Sequence, residues 1–295
     1  MRYETVCIDL AGFDITAGAS KTTPFRAIES SGVLTILDTA ETDGVISGGY
    51  MYGAPSSEVS IYGGNILVTG ASAVMNLYGG TVADGYMNAG NYKYHIYGGN
   101  IGVLEGATLN VKGGAITGGQ VVMGQQATAY HGGGNIYAKA STVNISDGVV
   151  SDGLVKAHYS SSSSANRKAY GVGGNIVANG GALTISGGVI SGGSVDVKCT
   201  ATCTTATPSA TAEGLGGNIN ASSGAQVTIT GGTISGGSVT ALPVANNGGS
   251  TAMEAFGGNI YVTGTGTVLN MSGGTVSGGF ARYRGGNMAV SNQDG

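Results

Sequence analysis

Along this chain apolar residues alternate with polar or small ones in short bursts, and glycine cuts each burst off. The phrases LTISGGVISGG from Leu183, VTITGGTISGG from Val227, LNMSGGTVSGG from Leu269 and LNVKGGAITGG from Leu109 show the pattern most clearly. Degenerate copies are VNISDGVVSDG from Val143 and MNLYGGTVADG from Met75. A period of two puts one side of an extended segment in a core and the other in solvent. The Gly-Gly or Gly-Asp steps between segments permit positive φ at sharp corners. No stretch of eleven residues keeps a helical period, so the chain reads as all-β.

A second phrase sets the repeat. Gly-Gly-Asn followed by an apolar residue occurs seven times, at Asn65, Asn100, Asn135, Asn175, Asn218, Asn259 and Asn287. The separations are 35, 35, 40, 43, 41 and 28 residues, so the unit is regular but carries insertions. The shortest unit has room for three short strands and their corners, which is one turn of a coil. Equivalent segments of successive coils then pair in parallel, about 4.8 Å apart, and seven to eight coils make a prism roughly 35 Å long. The insertions fall between the last Gly pair and the next Gly-Gly-Asn, so they are expected to protrude as loops along one edge. Insertions on one face of a solenoid are often its binding face.

Composition narrows the class. Of 295 residues 58 are glycine, about three times the ordinary share. Charged residues make up 9% and hydrophobic ones 41%, a balance for a packed, weakly charged β protein and not for a disordered chain. The net charge of -4, with twelve scattered Lys and Arg, offers no basic stripe for nucleic acid. No run of about 18 apolar residues exists to span a membrane, and the opening MRYETVCIDLAG lacks the apolar core of an export signal.

These repeats resemble the right-handed parallel β-helix, the pectate-lyase-like superfold. They are similar to the repeats of large bacterial surface adhesins and of polymorphic outer-membrane proteins, which carry Gly-Gly-Ala-Ile where this chain has Gly-Gly-Asn-Ile. The opening segments VCIDLAGFDITAGAS and GVLTILDTAETDGVISGG look like the first coils of such proteins. The resemblance implies a single β-helix domain over residues 1–295, a fragment or module of a longer protein at the cell surface or outside the cell. It specifies a fold and no ligand.

The Gly-Gly-Asn phrase has no Gly-Lys-Ser/Thr after it and no Asp of a calcium-binding nonapeptide, so it reads as a corner with a stacked amide ladder. Asp84 and Asp152 share one corner column two coils apart, hence roughly 9–10 Å between their Cα atoms, which borders the spacing of inverting glycosidases. The alternative is that Asp stands in for Gly at a left-handed corner, which Asp and Asn tolerate best after Gly. The outward column Asn76, Asn110, Asn144, Thr184, Thr228, Asn270 is too mixed for an ice-binding face.

Tyr86, Tyr92, Tyr94 and Tyr97 crowd around His95, a cluster suited to stacking on a sugar or anchoring a protein, or else to covering coil corners. His95, His131 and His158 lie in the insertions and read as surface residues, with no metal site among them. Cys199 and Cys203 either close a small loop or remain two thiols.

The expected function is therefore a non-catalytic structural or adhesive module. Its insertions would bind a glycan or a protein of a host or neighbouring cell, with no cofactor. Two alternatives stay open: a carbohydrate-active β-helix enzyme, lyase or hydrolase, and a subunit of a filament assembled end to end.

Overall fold

The structure is a computed structural model that describes residues 4–52, 60–90, 95–123, 130–162, 167–202, 210–245 and 251–291. The described residues hold no helix, and every pairing between strands is parallel. Each strand pairs with the equivalent strand of the next repeat. In the column that follows the Gly-Gly-Asn corner, Ile28, Ile66, Ile101, Ile136, Ile176, Ile219, Ile260 and Met288 stand in one register.

Five such columns run through the stack. The first contains Ile66–Thr69 and Ile101–Leu104; the second Val74–Leu77 and Gln226–Ile229; the third Thr81–Ala83 and Val189–Ser191. These three belong to one large sheet, and their inward residues form one core. Leu34 and Ile36, Met75 and Leu77, Leu109 and Val111, Leu183 and Ile185 point into it, each at most 2% exposed. Period two is what selects them, because the residues between, such as Asn76 and Asn110, face outward.

The segments expected to protrude as loops are mostly strands. Leu154–Ser162, Ser194–Thr202 and Ser238–Ala245 belong to a seven-stranded fourth column, and Arg167–Val172, Ala210–Leu215 and Thr251–Phe256 to a six-stranded fifth. The two pack face to face over a second core of Val155, Val195, Val197, Cys199 and Val239 against Ala169, Ala210, Ala212 and Ala255. Gly171 and Gly214 keep the sheets close: a Cβ on Gly171 would lie 3.1 Å from Val155 and 3.2 Å from Val195. The alternation in SVDVKC, Ser194 to Cys199, already carries this strand, but its variable length looks like padding. Cys199 is buried here, and Cys203 lies outside the described residues, so the question of their bridge does too.

A waist separates the two cores. On one side is the Gly-Gly-Asn corner; on the other is the corner that leads from the third column to the fourth. Backbone meets backbone there. A Cβ on Gly99 would collide with the carbonyl of Gly134 and with the amide of Gln120 across the waist, so only glycine fits.

The seven asparagines fill the waist and are their own glue. Asn175, fully buried, donates from Nδ2 to Asn218 Oδ1 at 2.7 Å and to the Ser191 carbonyl at 2.8 Å. Its Oδ1 accepts from the Gly153 amide and from Asn135 Nδ2, both at 2.8 Å. The Nδ2-to-Oδ1 chain runs from Asn65 through Asn100, Asn135, Asn175, Asn218 and Asn259 to Asn287. One side chain thus satisfies both corners and two neighbouring repeats.

The first repeat handles the same corner differently. Phe25 and Arg26 stand where later repeats have Gly-Gly, and Ala27 where they have Asn. In later repeats the glycine amides donate to carbonyls of the following repeat, as Gly64 does to Gly98 at 3.0 Å. Here the Arg26 guanidinium does this work, donating to Gly63 O at 3.2 Å and Tyr62 O at 3.0 Å. Glu29 pairs with it at 2.7 Å.

Repeat length varies far more on one side of the waist than on the other. From each Asn to the glycine or aspartate of the opposite corner the count is 19, 18, 17, 17, 18 and 19 residues. From that corner to the next Asn it is 16, 17, 23, 26, 23 and 9. The three-column lobe changes by at most two residues and the two-sheet lobe absorbs the rest.

Candidate functional site

Pinching the chain at a waist creates a crease on the outside of each corner. Outward residues just before Gly-Gly and just after Asn face one another across the first crease, and there they are large and aromatic. Tyr62, Tyr97 and Tyr137 stack together, with ring centroids 4.2 Å apart for Tyr97 and Tyr137, 5.6 Å for Tyr62 and Tyr97 and 5.5 Å for Tyr62 and Tyr137. Val172, Val177, Leu215 and Tyr261 continue the apolar floor, and Phe256 stacks on Tyr261 at 5.9 Å.

Room for these rings comes from a swap of large and small residues. One repeat has Tyr97 before the corner and Gly102 after it; the next has Gly132 before and Tyr137 after. A Cβ on Gly102 would lie 3.0 Å from Tyr62, and one on Gly132 would lie 2.6 Å from Val172. The glycines are therefore vacancies that neighbouring side chains fill, Tyr62 and Leu67 at Gly102 and Val172 and Val177 at Gly132.

Two recesses open in this crease. One, of about 320 Å³, is bordered by Tyr97, Tyr137, Tyr170, Asn179, Asn220 and Ser222; the other, of about 220 Å³, lies beside Phe256, Tyr261 and Arg284. Asn179 donates to the Tyr137 hydroxyl at 3.1 Å. Burial pushes the Tyr137 phenol up to about 12, so it stays a protonated hydroxyl. At the outer rim Lys168 sits 5.0 Å above the Tyr170 ring and pairs with Glu213, whose carboxyl is raised by burial against the opposing pull of that lysine. A larger hollow of about 610 Å³ opens at another corner beside Glu4, Glu29 and Thr69, without an aromatic wall.

The aromatic cluster expected around His95 is divided. His95 and Tyr97 are on the outer face of the fifth column, with parallel rings 6.4 Å apart. Tyr86 is on the outer face of the fourth, stacked on Tyr50 at 5.0 Å, and the shared core lies between the two faces. Tyr92 and Tyr94 lie outside the described residues. Tyr62, Tyr137 and Tyr170, from neighbouring repeats, are what join Tyr97 instead.

The second crease is polar. Asp84 and Asp152 stand at its corner with φ of 55° and 56°, in the same column as Gly118, Gly192, Gly236 and Gly278, whose φ lies between 60° and 66°. Each carboxylate leans over the glycine of the next repeat, Asp84 over Gly118 and Asp152 over Gly192. The left-handed backbone is by itself a reason for aspartate at this corner.

The outward column Asn76, Asn110, Asn144 forms a second amide chain. Asn144 donates to Asn110 and Asn110 to Asn76, both at 2.9 Å, opposite in direction to the buried ladder. Among the described residues no three His, Cys, Asp or Glu side chains gather as a metal site.

One histidine departs from the surface position expected of it. His131 pairs in register with Ile96 and Gly171, points into the second core and is fully buried, with neither ring nitrogen hydrogen-bonded. Desolvation, and after it the nearby His95, pull it down to about 3, so it is neutral. Comparison with protein families, with curated proteins and with solved structures returns no match to this chain.

Proposed function

We propose that the chain is a right-handed parallel β-helix module of a bacterial secreted or cell-surface protein. It acts as a structural and adhesive element and performs no catalysis. The observation that carries this is the aromatic crease, an apolar strip rimmed by polar residues that runs across several repeats on a scaffold locked by buried amides. Surfaces of this kind hold partners by burying rigid aromatic anchors. The bacterial and extracellular placement rests on the resemblance of the repeats and on their low charge. Recognition is assigned to the crease and to the two-sheet lobe that the insertions form.

The test is binding of the purified chain to bacterial and host cells and to a glycan array. Wild type should bind, and Tyr97→Ala should lose most of the signal, whereas Tyr86→Ala on the other face should keep it. Absence of binding in both formats, with the chain folded by circular dichroism, refutes the adhesive role.

A further inference from the structure

Asn220 is out of place in its row. In the first column the equivalent outward positions hold Glu29 in the first repeat and then Leu67, Gly102, Tyr137, Val177, Tyr261 and Ala289, so from the second repeat on Asn220 interrupts an apolar series facing the crease. Asn220 is 2% exposed, and its Nδ2 has no hydrogen-bond partner. Unpaired buried donors are rare because they lose water and gain nothing. This one forms part of the wall of the 320 Å³ recess. Amide torsions are broad, so rotation about the terminal bond can bring the donor to the recess.

We propose that the recess binds a neutral saccharide, with one ring face on the aromatic wall of Tyr97, Tyr137 and Tyr170 and an acceptor oxygen on Asn220 Nδ2. This rests on the adhesive role and names its ligand class. No residue lining the recess is charged; at its edges Lys168 pairs with Glu213, and Lys139 stands in register with Asn179 on the same outward face, exposed to solvent. The lining itself therefore offers no counter-ion, and a neutral ligand suits it best. A pyranose offers an apolar face for the tyrosines and a rim of hydroxyls for Asn179, Ser222 and Ser223. An extended peptide would gain little, because the strands on both sides of the crease are already paired and leave no edge for strand addition. The volume sits at the small end of the range of about 300–1,000 Å³ for ligand sites, which suits one or two sugar rings.

The experiment is titration of the intact chain with the methyl glycosides of glucose and N-acetylglucosamine and with their β-linked dimers. It is followed by saturation-transfer NMR and by tyrosine fluorescence, which tryptophan does not mask because the chain has none. Saturable binding of at least one of these sugars is expected. Asn220→Leu should weaken it about tenfold or more, because a site that pairs a substrate oxygen discriminates strongly once the donor is gone. Tyr170→Ala, at the half-buried rim, should weaken it too while keeping a native melting transition. No saturable binding by any of the four sugars, or unchanged binding by Asn220→Leu with a native melting transition, overturns the proposal. If the sugars fail while cell binding remains sensitive to Tyr97→Ala, the adhesive role stands and the saccharide site falls.

Discussion

Acid should loosen this protein through His131. The imidazole titrates at about 3 in the folded chain against an ordinary 6.5, because burial among apolar side chains penalises its charged form. Between those values the unfolded chain binds a proton that the folded one refuses. The stability contributed is fully present above pH 6.5 and is lost as pH falls toward 3. At about 1.4 kcal/mol per pH unit the loss is about 2 kcal/mol by pH 5 and about 5 kcal/mol near pH 3.

His131→Leu removes the titrating group at similar volume, and it removes two unpaired nitrogens, which adds about 1–3 kcal/mol at pH 7. The assay is urea unfolding of both proteins at pH 7 and pH 5, with amide exchange in the repeats around Ile96 and Gly171 as a local readout. Carboxylates titrate alike in the two proteins, so the difference between their pH slopes isolates His131. Equal slopes, or a His131 proton resonance that titrates near 6.5, would refute the reasoning.

Other substitutions probe the waist. Asn175→Leu strands the buried Gly153 amide and two buried neighbouring asparagines and the half-buried Ser191 carbonyl, and at about 1–3 kcal/mol for each buried partner it should prevent folding of the central repeats. Asn110→Ala in the half-exposed outer chain should cost under about 1 kcal/mol; urea midpoints compare the two. Gly99→Ala drives a methyl into backbone on two sides and should yield insoluble protein, while Gly236→Asp, with nothing nearer than 3.8 Å and precedent at Asp84 and Asp152, should cost about 1 kcal/mol or less by thermal melting. Arg26→Ala leaves Tyr62 O and Gly63 O without those donors and should cost about 1–3 kcal/mol, seen as faster amide exchange in Ile66–Thr69 and no change near Ile260.

The repeat was legible because its signals are local. Alternation in LTIS and the Gly pair that follows are read within eleven residues, and they place Leu183 and Ile185 inward without knowledge of any partner. The amide ladder is legible as a column of asparagines, but its second function is not. That Asn175 also holds the Gly153 amide across the waist depends on a corner 22 residues away in sequence. The fourth and fifth columns were hidden by their unequal lengths, although Val195, Val197 and Cys199 alternate as plainly as any core strand. The crease was the least legible. Tyr62, Tyr97 and Tyr137 come from three repeats, whereas Tyr86 and Tyr97, close in sequence, are sent by the sheets to opposite faces.

The waist also shapes how such a chain can change over generations. Insertions and deletions land in the two-sheet lobe, where the count between corner and asparagine ranges from 9 to 26, while the other lobe holds at 17 to 19. Because glycine backbones and one amide seal the passage between them, a lengthened strand beyond the seal leaves the three-column core untouched. A duplicated repeat likewise brings its own donor and acceptor to the ladder. Foreign strands could be grafted past the seal on the same terms, making each repeat an independent slot for new surface.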